Sequence, residues 1–230
     1  MNLLVLPGMD GSASLRSAFV AAVAPAVQTK VVAYPPDRPL DYAQLEALVR
    51  AEIPQQPFVL VGESFSGPIA ISLAATNPPG LRGLVLAGSF ARMPIAMPRL
   101  LAWLAAIIPL AVLPSRCIVT ALLGRTAPDG LGNCLLAVIS SVRSSVWRSR
   151  LRAVVSVDVV AHLSLIRVPV LYLRPAADRM VPRTAYETIV GANPNVRVVE
   201  LEGPHFILVA RPTESAAEIR RFMREVGFAF

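Results

Sequence analysis

Short apolar, β-prone runs recur along this chain and alternate with stretches whose apolar residues return at helical spacing. The runs at 2–6, 30–34, 58–62, 83–88, 168–173 and 196–201 predict about six strands. Between and after them, Ser14–Ala24, Tyr42–Glu52, Phe65–Ala75 and Thr213–Val226 carry helical periodicity. Strand and helix in alternation predict an α/β fold, with a mostly parallel sheet flanked by helices on both faces. The 230 residues suffice to bury a large core and fit one such domain, with no internal repeat or low-complexity linker.

The alternation breaks between Phe90 and about Val157, where helix-like pieces are interrupted by Pro94, Pro98, Pro109, Pro114 and Pro128. Within it, Leu100–Leu113 is apolar throughout and is bounded by Arg99 and Arg116. At 14 residues this run is shorter than the roughly 18 that a membrane span requires, so no transmembrane segment is expected. It reads either as a buried helix or as an apolar lid that meets acyl chains or a membrane surface.

Chemistry concentrates where strands end. Phe58-Val59-Leu60-Val61 runs into Gly62-Glu63-Ser64-Phe65-Ser66-Gly67, and a helix follows. Strand, tight turn around a serine and helix are the context of a nucleophile elbow, whose strained turn admits only small neighbours. Gly62 and Ser66 are the small residues two positions either side of Ser64. A hydroxyl needs a base to take its proton, and the base needs an orienting carboxylate. The chain has two histidines, His162 and His205. His205 follows the strand at 196–201 in a loop, where an open α/β sheet gathers its site, and is the expected base. His162 sits in a helical stretch and reads as a packing or surface residue. Asp178 lies in the loop after the strand at 168–173, in the order Ser, Asp, His expected of this arrangement. Gly88-Ser89-Phe90, after the preceding strand, offers no carboxylate.

Pro7-Gly8-Met9-Asp10-Gly11 follows the first strand. An oxyanion hole needs main-chain N–H groups aimed at the developing charge, and Met9 and Phe65 are the expected donors. Asp10 there would repel an oxyanion, so it is assigned to a turn or helix cap.

Together these elements resemble the α/β-hydrolase superfamily over nearly the whole chain. The resemblance implies Ser64 as nucleophile, Asp178 as acid, His205 as base, and Met9 with Phe65 as the oxyanion hole. It also implies that the first hairpin of the fold is lacking and that residues 91–157 form a helical cap inserted after the sixth family strand, with 1–90 and 158–230 as the core. Phe90, Met93, Met97, Trp103, Leu104 and Phe206 are the substrate-lining residues expected from apolarity and position. The implied activity is hydrolysis of carboxylic esters with small to medium apolar acyl groups. Acyl transfer, as in the plastid ester synthases that the two glycine-containing motifs resemble, and thioester or carrier-protein methyl ester hydrolysis use the same triad. A non-enzymatic ligand-binding module is the remaining alternative. Dehalogenases and epoxide hydrolases place an aspartate where Ser64 stands.

Composition narrows the cofactors and partners. Two histidines and two cysteines leave little for a metal site, and no glycine-rich phosphate loop occurs, so no cofactor is expected. Met1 leads directly into a strand, without a charged leader, so the expected location is cytoplasmic. Cys117 and Cys134 are then expected as small buried hydrophobes. The net charge of +7 falls wholly within 91–157, where Arg92, Arg99, Arg116, Arg125, Arg143, Arg148, Arg150 and Arg152 face only Asp129. Such a surface can attract an anionic substrate, an acidic carrier protein or an anionic surface. No nucleic-acid motif accompanies the arginines.

Overall fold

The computed structural model describes residues 3–25, 27–94, 114–125 and 130–230. Its sheet contains β1 (Leu3–Leu6), β2 (Thr29–Val31), β3 (Phe58–Glu63), β4 (Leu81–Ala87), β5 (Val170–Pro175) and β6 (Val196–Leu201). All pairs are parallel, in the order β2-β1-β3-β4-β5-β6. Side chains alternate across this sheet as the period of two demands. Leu4, Leu6, Leu60, Leu84, Leu86 and Tyr172 join one core, whereas Leu3, Val5, Val61, Val85 and Leu171 join the other. The continuous apolar runs of β1, β3, β4 and β5 are thus strands buried on both faces, while β2 and β6 form the partly exposed edges.

Helices cover each face. On the first lie α2 (Tyr42–Arg50), α3 (Gly67–Ala75) and α7 (Val160–Leu163), with α8 (Arg183–Ala192) contributing Ile189. On the second lie α1 (Ser17–Val23), α9 (Ile207–Ala210) and α10 (Pro212–Glu225). Local chemistry sets their starts. Asp41 and Gln44 form a reciprocal capping box on α2, and Pro212 opens α10, where its missing N–H costs nothing. β1 is paired with β2 on one side and β3 on the other, while the helices after β1 and β3 leave to opposite faces. The crevice beyond the C-terminal ends of β1 and β3 is therefore the topological switch point, where such sheets bind ligands.

Between β4 and β5 the chain forms α4 (Ser115–Leu123), α5 (Leu131–Ser141) and α6 (Ser144–Ser156). The two ends of this excursion are stitched together: Arg92 and Asp158 form an antiparallel bridge, and the Val159 N–H donates to the Ala91 carbonyl at 2.8 Å. The apolar run at 100–113, with the expected lining residues Met97, Trp103 and Leu104, lies outside the described residues. Among the described residues no helix is long and apolar enough to cross a membrane.

Candidate active site

β3 delivers Ser64 into a short 3-10 turn, Ser64–Ser66, that leads into α3. Ser64 has φ of 49°, a left-handed conformation that costs a non-glycine residue about 1–3 kcal/mol. Several contacts hold the strained turn in place. The Ser89 hydroxyl donates to the Ser64 carbonyl at 2.6 Å, and the Tyr42 hydroxyl donates to the Phe65 carbonyl at 2.9 Å. Ser66, where a second glycine is usual, donates its hydroxyl to the Pro7 carbonyl and meets the Tyr34 hydroxyl at 2.6 Å. Close approach explains the glycines. A Cβ on Gly62 would stand 2.7 Å from the Ala70 Cβ, and one on Gly67 would stand 1.6 Å from the Ser89 Oγ.

The turn presents Ser64 Oγ to His205 Nε2 at 2.7 Å. His205 Nδ1 faces both Asp178 oxygens, at 3.0 and 2.9 Å. Asp178 Oδ1 also accepts the main-chain N–H groups of Met180 (2.8 Å) and Val181 (2.9 Å), which fixes the carboxylate in its loop. The three residues expected from sequence are thus brought into one hydrogen-bonded chain. His162 lies apart, its Nδ1 meeting the Ser72 Oγ at 3.1 Å.

Met9 stands in a tight turn closed by the Gly11 N–H on the Gly8 carbonyl at 3.0 Å. Phe65 is the second residue of the 3-10 turn, where main-chain N–H groups have no partner inside the helix. The pairing of Leu6 with Gly62 puts the Met9 loop beside the elbow. Asp10 is not a simple turn residue. Its Oδ1 accepts from the Ser12 N–H at 2.9 Å, and it also pairs with the fully buried Arg16. Arg16 Nε donates to Glu63 Oε2 at 2.8 Å, and the guanidinium lies 5.3 Å from the Phe206 ring centroid. Burial pulls the Arg16 pKa down, but the two carboxylates outweigh it and hold it above the ordinary arginine value. Burial, with Asp10 nearby, raises Glu63 above the usual carboxylate range against the pull of Arg16. One cation therefore ties the loop after β1 to the residue before Ser64. Arg16→Met would leave two buried carboxylates unpaired, and urea unfolding should register a loss of about 3–5 kcal/mol. A loss below about 1 kcal/mol would mean that the cluster does not hold these loops together.

An apolar cavity of about 320 Å³ opens on Ser64 and His205. Met9 and Phe206 line it with helix residues that include Ile118, Ala121, Leu135, Ile139, Trp147 and Leu151. Of the expected lining residues only Phe206 does so among those described. Phe90 is buried in a separate cluster with Val181 and Ala185, beside the stitched neck of the excursion. Met93 lies in that neck, donating its N–H to the Val157 carbonyl at 3.3 Å. The lining was readable as spacing: 118 with 121, 135 with 139 and 147 with 151 each mark one helix face. Cys117 and Cys134 are exposed rather than buried. Cys117 borders the cavity, and Cys134 stays outside the cluster that α5 builds through Leu131, Leu135 and Val138. Arg150, counted above with the surface charge, is 2% exposed. It sits beneath α6, on the side that packs through Val146, Trp147 and Ala153, so it does not belong to a solvent-facing basic patch.

The profile of the alpha/beta hydrolase family matches residues 3–218, and the chain belongs to that family. A lipase-esterase related protein from Clostridium acetobutylicum has a TM-score of 0.77 at 17% identity, covering 96% of this chain and 94% of that one. An enol-lactonase from Burkholderia xenovorans gives 0.77 at 16%, covering 97% and 91%. A bromoperoxidase from Bacillus anthracis gives 0.82 at 15%, with the same coverages of 97% and 91%. Identities this low carry the fold and leave the reaction open. No curated protein sequence matches this chain significantly.

Proposed function

We propose that this chain is a serine hydrolase that cleaves carboxylic esters of small to medium apolar acyl groups. The observation that carries the reading is Ser64 Oγ at 2.7 Å from His205 Nε2, at the mouth of an apolar cavity. With Nδ1–H donated to Asp178, Nε2 is the basic nitrogen and takes the Ser64 proton as Oγ attacks the ester carbonyl. The Met9 and Phe65 N–H groups receive the oxyanion. The imidazolium then protonates the departing alkoxide, leaving an acyl-Ser64 ester. Water, deprotonated by the same histidine, attacks that ester and releases the carboxylic acid.

The cavity volume limits the acyl group. A volume of about 320 Å³ suits a small to medium apolar acyl chain. Hydrolysis of p-nitrophenyl esters from acetate to palmitate, with and without an added alcohol, tests the reading. Turnover should peak at a short to medium chain, and product in the alcohol arm should remain the free acid. Preferential transfer to the alcohol would make the chain an acyltransferase, and absence of turnover across the series would refute esterase activity. Ala121→Phe places a ring in the cavity from α4. It should move the optimum to shorter chains and lower kcat/KM for the longest good substrate by about 10-fold or more, since each blocked methylene forfeits roughly 0.8 kcal/mol. An unchanged chain-length profile would place the acyl group elsewhere.

A further inference from the structure

Arg150 has no part in the reaction just described, yet it reaches the loop that would bind the oxyanion. Trp147, Arg150 and Leu151 are spaced i, i+3 and i+4 on α6 and so share one face of the helix. Trp147 and Leu151 line the cavity. Arg150 goes past them into the core, where Nη1 donates to the Met9 carbonyl at 2.7 Å and Nη2 to the Pro35 carbonyl at 3.1 Å. Its guanidinium lies 5.8 Å from the Tyr34 ring centroid, and the Tyr34 hydroxyl meets Ser66 of the elbow. Gly11, at φ 71°, leaves room for it, since a Cβ there would stand 2.9 Å from both terminal nitrogens.

We propose that Arg150 is a positioning residue for the oxyanion hole, holding the Met9 main chain from the cap side. The proposal rests on the esterase reading above. Met9 is flanked by two peptide planes. The Gly8–Gly11 turn fixes the plane that carries the Met9 N–H, and Arg150 fixes the next one through its carbonyl. With both planes held, the N–H keeps its direction while charge develops on the substrate oxygen, the preorganisation on which such holes depend. The guanidinium adds to Arg16 in offsetting the negative charge of Asp10 beside Met9. Burial holds the Arg150 pKa below the ordinary arginine value, against the opposing pull of Asp10 and Tyr34. A surface arginine would spend its donors on water; this one gives them to two main-chain carbonyls on the site side.

Two ligands separate positioning of the hole from filling of the cavity. A medium-chain alkylboronic acid forms a tetrahedral Ser64 adduct with an oxygen in the hole, whereas the alcohol of equal chain length occupies only the acyl cavity. In Arg150→Met, kcat should fall about 10- to 100-fold with KM within about 3-fold, less than the 10²–10³ typical of deleting a hole donor. Boronate affinity should fall in step with kcat while alcohol affinity stays put. Arg150→Lys keeps the charge but not the fork that spans two carbonyls, and should restore part of kcat and of boronate affinity. If Arg150→Met fails to fold, the ratio of boronate to alcohol affinity in Arg150→Lys against wild type decides the matter. An unchanged ratio, or equal loss of both ligands, overturns the proposal. Organophosphate labelling of Ser64 in the wild type keeps the two levels apart. Labelling with an unchanged ratio sinks the role of Arg150 alone; no labelling and no ester turnover sink the esterase reading and this role with it.

Discussion

Ser64→Ala should lower kcat for p-nitrophenyl esters by a factor on the order of 10⁴–10⁶ while leaving the fold intact. The substitution removes the attacking oxygen and the hydrogen bond to His205 Nε2, and nothing else in the elbow depends on that hydroxyl. The main chain of the turn is held by Ser89, Tyr42 and Ser66, none of which touches Ser64 Oγ. Alanine inherits the left-handed φ of 49°, so thermal unfolding should shift little relative to wild type. An organophosphate should label the wild type at Ser64 and leave the variant unlabelled, as mass spectrometry of the intact chain and its peptides would report. Near-normal turnover by Ser64→Ala would overturn the assignment of the nucleophile and the proposed mechanism with it.

The strands and the elbow were legible because each is a local pattern. Six apolar runs gave six strands, and the largest boundary difference is β2, which ends at Val31 where the pattern ran to 34. His205 and Asp178 were legible because the chain offers few alternatives: two histidines, and a carboxylate in the loop after the strand at 168–173 where Gly88-Ser89-Phe90, after the preceding strand, has none. What stayed hidden depends on which elements become neighbours. Glu63 read as part of the elbow, and its partner Arg16 stands 47 positions earlier, just before α1, joined only when β1 and β3 pair in register. Arg148, Arg150 and Arg152 looked alike as alternate basic residues. Helical geometry splits them, because 148 and 152 are i and i+4 on an exposed face, while Arg150 lies with Val146, Trp147 and Ala153 on the buried one. The cavity lining was legible only in part for a related reason: Phe206 lines it and Phe90 and Met93 do not, Met97, Trp103 and Leu104 lie outside the described residues, and the faces of α4, α5 and α6 that line it meet only through the fold.

Asp178→Asn should lower kcat by about 10⁴, and the hydrogen bonds of this loop explain why the amide could not simply substitute for the acid. Asp178 Oδ1 accepts from the N–H groups of Met180 and Val181, so in the asparagine variant the carbonyl oxygen must take that position. The NH₂ then occupies the Oδ2 position, 2.9 Å from His205 Nδ1, and can only donate. Of the two atoms facing Nδ1, only the Oδ1 position, already shared with two main-chain N–H groups, still accepts, so the balance shifts to the tautomer with its proton on Nε2, the nitrogen that faces Ser64. A protonated Nε2 has no lone pair to receive the serine proton, so the site keeps its geometry and loses its base. The fold should be retained and KM should change little, because the cavity is untouched. His162→Ala, on α7 beside Ser72, should leave kcat near wild type in the same assay. Substantial activity in Asp178→Asn would mean that another group sets the histidine tautomer and that the acid is misassigned.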